Sequence, residues 1–219
     1  MTDMNNFQGM LFWMEKAGII AFSISGAMIG VEEAVDLFGV LFLGLITALG
    51  GGTLRDTLLG TVPSANFFDY QGIVLSLFTS LIVFSVAYTK RKYYYSHMDQ
   101  IERLNNVVDS VGLGFFAVCG VQAALEAGYS TNIFLLAFMG MLTGVGGGLL
   151  RDVIVKRVPV IFSKHIYAVA AISGGVCYIA LIRSKMNETA AVIFSVLLVV
   201  FIRMLSTQKK LNLPKVRRI

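Results

Sequence analysis

One charged, glycine-rich motif occurs twice in an otherwise apolar chain. Gly50-Gly51-Gly52-Thr53-Leu54-Arg55-Asp56 returns 96 residues later as Gly146-Gly147-Gly148-Leu149-Leu150-Arg151-Asp152. Val62-Pro63 and Val158-Pro159 follow the two copies at the same distance. Glycine costs a helix interior roughly 1 kcal/mol relative to alanine, and ionised side chains are expensive in lipid. The chemistry open to such a motif is ionic. Backbone carbonyls freed at a helix break attract a cation, and a guanidinium beside a carboxylate tunes the charge of a wet path. Catalysis is not expected. There is no phosphate loop, metalloprotease helix or Cys/His cluster, and no nucleophile set. The glycines from Gly144 to Gly148 lie inside an apolar run and not after a strand, which argues against a dinucleotide site. The filter sequence of tetrameric potassium channels is missing too. No metal site and no cofactor are expected.

The elements that hold the motifs must be membrane helices. Of 219 residues, 56% are hydrophobic and 14% charged, against about a quarter charged in soluble domains. A spanning helix needs about 20 mostly apolar residues. Seven stretches qualify: Gly9–Val31, Leu37–Leu59, Phe67–Tyr88, Val107–Leu125, Ile133–Val155, Val160–Ile182 and Met186–Leu205. In the last, Glu188 and Arg203 are expected to reach the interfaces. The expected fold is an all-α integral membrane domain over residues 1–219.

The repeat extends beyond the glycines. Phe42, Gly44 and Thr47 recur as Phe138, Gly140 and Thr143. Upstream the offset is 94, where Phe22-Ser23-Ile24-Ser25-Gly26 faces Phe116-Ala117-Val118-Cys119-Gly120 and Glu15 faces Asp109. Each copy holds three helices (residues 9–92 and 105–182). An odd number inserts the second copy from the opposite face, so the plan is an inverted repeat. The helix at 186–205 and the basic tail at 206–219 stand outside it.

Gly51 falls about 21 Å along its helix, inside a hydrocarbon layer about 30 Å thick. Gly147 falls equally deep from the other side. Two readings compete. Gly44, Thr47 and Gly51, like Gly140, Thr143 and Gly147, form a small face that packs helices closely. Alternatively Gly50, Gly51 and Gly52, and Gly146, Gly147 and Gly148, unwind as hinges. Three consecutive glycines cover most of the helix circumference, so breaks are the expectation. The half-helices would then end in carbonyls that favour a cation. Arg55 and Arg151 follow the breaks, and gating and structural pairing both remain open for them. Asp56 and Asp152 are not expected to pair with the adjacent arginine, since consecutive helical residues diverge by about 100°. Glu15 and Asp109 are candidates for internal pairing. Trp13 and Tyr93-Tyr94-Tyr95 read as interfacial anchors. Cys119 and Cys177 read as small buried hydrophobes, and His97 and His165 sit in basic loops.

Basic residues collect on one side: Lys90, Arg91, Lys92 and Arg103, then Lys156, Arg157 and Lys164, then Lys209, Lys210, Lys215, Arg217 and Arg218. The other side has Arg183 and Lys185. The positive-inside rule puts the N-terminus outside and the C-terminus in the cytoplasm, which agrees with seven spans. Contact with anionic lipid explains the basic loops better than nucleic acid does. The first ten residues lack Lys and Arg, so no cleavable signal peptide is expected.

The doubled G-G-G-x-x-R-D in helices 2 and 5, on a three-plus-three plan with a seventh helix, resembles the prokaryotic trimeric intracellular cation (TRIC) channels. Related bacterial sequences are also classed as glycine transporters. The resemblance covers residues 9–205. It implies a homotrimer in a bacterial inner membrane, with one pore per protomer passing potassium and other monovalent cations. A permeant K+ or Na+ would pass near the glycine breaks. It further implies hinges at Gly50–Gly52 and Gly146–Gly148, with Arg55, Asp56, Arg151 and Asp152 lining or supporting the path. Animal members carry a phosphoinositide-binding lysine before the glycines; Leu49 and Val145 stand there in this chain. The alternative expectation is a secondary transporter of a small zwitterion such as glycine, and the third a scaffold that uses the glycines for packing alone.

Overall fold

The computed structural model describes residues 2–163, 166–209 and 211. Lys164, His165, Lys210, Lys215, Arg217 and Arg218 lie outside the described residues. Those described form nine α-helices and one 3-10 turn: α1 (Thr2–Glu32), α2 (Leu37–Leu58), the turn Ala65–Phe67, α3 (Tyr70–Thr89), α4 (Arg91–Ser96), α5 (Met98–Glu126), α6 (Ile133–Ile154), α7 (Val160–Ser163), α8 (Tyr167–Arg183) and α9 (Glu188–Gln208).

Six of these, α1, α2, α3, α5, α6 and α9, are long and apolar enough to cross a membrane. The apolar helix α8 has 17 residues. The expected span from Val160 is divided in two. α7 stops at Ser163, and Ile166, with a left-handed φ of 47°, precedes α8.

The two motif helices are built alike. α2 and α6 each have 22 residues, about 33 Å of helix. Asp36 caps α2 by accepting the Gly39 N–H at 2.8 Å, and Asn132 caps α6 by accepting the Leu135 N–H at 3.0 Å. These caps are themselves 96 residues apart. Each satisfies a backbone donor that the first turn leaves open.

The expected breaks do not occur: both helices run unbroken through their triple glycines. The reason is the crossing of α2 and α6. A Cβ on Gly51 would collide with the Thr143 carbonyl, and one on Gly147 with the Thr47 carbonyl. The helices touch backbone to backbone, and this close packing outweighs the low helix propensity of glycine. Thr47 and Thr143 return their hydroxyls to the Leu43 and Met139 carbonyls at 2.6 and 2.7 Å, so neither leaves a polar group unpaired at the crossing. Moving along the crossing, Thr47 meets Gly147 while Gly51 meets Thr143. Partners descend as residues ascend, so α2 and α6 run in opposed directions.

α1 and α5 flank this crossing. Gly26 of α1 lies against Leu43 and Thr47 of α2, and its mate Gly120 of α5 against Met139 and Thr143 of α6. α9 packs on α5 and α8. Arg203 of α9 does not reach an interface. It is 2% exposed, its guanidinium 4.6 Å from the Tyr167 ring centre. Trp13 and Tyr93 are exposed as expected of anchors, whereas Tyr94 is buried.

Candidate functional site

Two cavities enter the bundle near opposite ends of α1. One, of about 350 Å³, is lined by Glu15, Leu49, Gly52, Arg55, Cys119 and Glu126 among others. The other, of about 230 Å³, is lined by Asp109, Val145, Gly148, Arg151, Ser25 and Glu32 among others. Those six are the repeat mates of the first six, in the same order. The cavities are therefore two copies of one vestibule. Each takes its arginine, its third glycine and one acid from its own copy, and closes against the first helix of the other copy.

Between them lies an apolar septum. Ile19, Phe22, Ala48, Leu113, Phe116 and Val145 are buried in one cluster. Ile19, Ala48 and Phe116 also face the Arg55 vestibule, and Val145 faces the Arg151 vestibule. The septum too is built of mates, Ile19 with Leu113 and Phe22 with Phe116. Phe22 and Phe116 touch with ring centroids 5.1 Å apart.

Each Arg-Asp pair forms between neighbours on the helix, against expectation. Arg55 donates from Nε and Nη2 to Asp56 Oδ1 at 2.9 and 2.6 Å. Arg151 does the same to Asp152 Oδ1 at 2.9 and 2.8 Å. A long arginine stem folds around the helix far enough to overcome the 100° divergence. The second carboxylate oxygen is used as well. Asp56 Oδ2 accepts from Ser64 Oγ at 2.6 Å and from the Ala65 N–H at 3.1 Å, and Asp152 Oδ2 accepts the Val160 N–H at 2.8 Å. Each aspartate thus fastens the end of its helix to the segment beyond Val-Pro and aims its arginine. Arg55, Arg151 and Asp152 face the vestibules; Asp56 stands behind its arginine. Gly52 and Gly148 line the cavities, while Gly51 and Gly147 belong to the helix crossing.

Three polar features were not read from the sequence. Lys16 Nζ donates to Asp69 Oδ2 at 2.5 Å. Burial raises the Asp69 carboxyl, but hydrogen bonds from Lys16 and from the Gly72 N–H outweigh it and leave the group below its ordinary value. Arg157 bridges the loop after α6 to the end of α1, reaching Glu32 at 2.9 Å and also Glu33. Burial opposes its charge, yet those two hydrogen bonds raise the guanidinium above its ordinary range. The mate of Arg157 is Thr61, so among the described residues only the Arg151 vestibule carries this strap. Thirdly, Arg203 joins that vestibule. Only the offset-94 echo, which pairs Glu15 with Asp109 and Phe22 with Phe116, hinted at the septum.

Paired vestibules in an all-helical bundle define a polytopic integral membrane protein. The chain belongs to the family whose model is described as Glycine transporter, which matches residues 12–88 and 106–183. A UPF0126 membrane protein of Deinococcus radiodurans is 36% identical over 211 residues, 95% of this chain and 93% of that one. The UPF0126 inner membrane protein YadS of Escherichia coli strain K12 is 34% identical over 169 residues, 77% of each chain. Among solved structures, a TRIC cation channel described for its conductance is 33% identical, with a TM-score of 0.82 over 94% of this chain and 97% of that one. The resemblance to TRIC channels therefore holds in sequence and in fold.

Proposed function

We propose that the chain is a passive channel for monovalent cations of the potassium type. Each protomer of a homotrimer would carry one path, in a bacterial inner membrane. The path joins the Arg55 vestibule to the Arg151 vestibule through the septum. The observation that carries this reading is the matched pair of vestibules meeting one apolar plug. Both favour cations by charge: Glu15 and Glu126 against Arg55 in one, and Asp109, Asp152, Glu32 and Glu102 against Arg151, Arg157 and Arg203 in the other. The similarity to a solved cation channel supports it. The reading includes seven spans, with α8 as the sixth, in an inverted three-plus-three plan, and the basic loops in the cytoplasm. The closed element is the phenylalanine septum, since the glycine helices are unbroken. Hydrophobic constrictions of this kind gate by excluding water.

Purified protein in a planar bilayer under a potassium gradient tests this. Unitary current steps reversing near the potassium equilibrium potential are expected. Saturable uptake of glycine driven by an ion gradient, without unitary steps, would replace the channel with a secondary transporter. One observation favours that second reading: each vestibule presents a guanidinium and carboxylates together, a match for the two ends of a zwitterion.

A further inference from the structure

Glu15 and Asp109 hold equivalent places in the two vestibules but not equivalent surroundings. Asp109 is wired into the protein. Arg151 Nη1 donates to Ser25 Oγ at 3.0 Å, and Ser25 Oγ donates to Asp109 Oδ1 at 3.3 Å. A single hydroxyl thus relays between guanidinium and carboxylate, and the Tyr167 side chain adds a further hydrogen bond to Asp109. Asp109 is 9% exposed.

In the other vestibule the relay is missing. The mate of Ser25 is Cys119, which lines the same cavity as Glu15 and Arg55. A thiol is a weak donor and a weak acceptor. Among the described residues no hydrogen bond or ion pair joins Glu15 to Cys119 or to Arg55. The two neighbouring cations are engaged elsewhere, Lys16 with Asp69 and Arg55 with Asp56. The other acid of this cavity, Glu126, accepts from Gln122 Nε2 at 3.0 Å. Glu15 lines the cavity with no hydrogen-bond or ion-pair partner among the described residues.

We infer that Glu15 is the charge-selecting residue of the Arg55 vestibule, kept available to a passing cation by the cysteine at position 119. The Arg151 vestibule, whose mate of Glu15, Asp109, is internally compensated, discriminates less. The inference rests on the channel reading and says which residue of the path does the selecting.

The test compares wild type, Glu15→Gln, Glu15→Asp, Asp109→Asn and Cys119→Ser as full chains in planar bilayers with asymmetric KCl. For wild type the reversal potential lies on the potassium side. Glu15→Gln is expected to move it toward zero, more strongly at low salt, because exposed charge is screened within about 10 Å at 0.1 M ionic strength. Glu15→Asp is expected to retain the wild-type value. Cys119→Ser restores the hydroxyl, couples Glu15 to Arg55, and is expected to shift the potential in the same direction as Glu15→Gln. A cation-selective wild type whose potential ignores Glu15→Gln, or answers equally to Asp109→Asn, overturns the inference and leaves the channel standing. A silent wild type overturns both.

Discussion

Phe22 and Phe116 meet ring to ring at the centre of the bundle, and each rests on a glycine of the other's helix. A Cβ on Gly112 would press on the Phe22 ring, and one on Gly18 on the Phe116 ring. Gly18 and Gly112 are themselves mates at the 94-residue offset. The contact is thus symmetric in both its rings and its seats, as expected where a two-fold axis passes between two halves.

If those rings close the path, trimming one must open it. Phe22→Ala is expected to raise the resting open fraction in bilayer recordings. Burial of a ring of this size stabilises a core by roughly 3–5 kcal/mol, so thermal denaturation in detergent should also fall. A destabilised protein with wild-type gating would show that the rings are packing alone.

The crossing of α2 and α6 separates two glycines that the sequence makes alike. Gly147→Ala forces a methyl group against the Thr47 carbonyl, whereas one at Gly148 lies 3.7 Å from the nearest atom, a guanidinium nitrogen of Arg151. Overpacking of a tight core costs about 1–3 kcal/mol. Gly147→Ala should lower the denaturation midpoint clearly and Gly148→Ala hardly at all. Equal midpoints would contradict the contact.

Asp152 holds three groups together: Arg151, the Val160 N–H and the end of α6. Removing one partner of a buried pair typically costs 3–5 kcal/mol. Asp152→Ala is expected to lower folded yield on size exclusion, and Asp152→Asn, which keeps one acceptor oxygen, to lower it less. The exposed cap mutant Asp36→Ala, worth about 1 kcal/mol, serves as the comparison.

Asp69 makes stability depend on acid. Its carboxyl titrates below its ordinary value in the folded protein. A depressed carboxylate stabilises the fold above the unfolded pKa, near 4, and that contribution is lost as pH falls through the lower folded value. Melting temperature measured from pH 7 to pH 3 should therefore fall at the acid end, and more steeply in wild type than in Lys16→Met. Parallel curves for the two would remove the pair from the account.

The spans, the repeat and the motif residues were legible because apolar runs and identities at a fixed offset are properties of the chain itself. α2 and α6 start and stop 96 residues apart, as their shared caps require. Where the reading went astray, contacts between distant residues decided. Glycine propensity argued for broken helices, but Thr47 and Thr143 supply carbonyls that only a residue without Cβ can approach. Consecutive placement argued against Arg55 binding Asp56, yet the length of the arginine stem and the pull of Ser64 on the second oxygen make that pairing the satisfied one. Arg203 looked like an interfacial anchor because nothing in its neighbourhood of sequence announces Tyr167.

The bridge from Arg157 to Glu32 and Glu33 exists at one mouth, with Thr61 in the corresponding place at the other. Partly exposed ion pairs weaken as electrolyte rises. The two mouths accordingly answer unequally to electrolyte in a molecule assembled from two kindred halves. The ionic composition at the Arg157 mouth bears on a clasp between Arg157 and the end of α1 that Thr61, its mate, cannot reproduce.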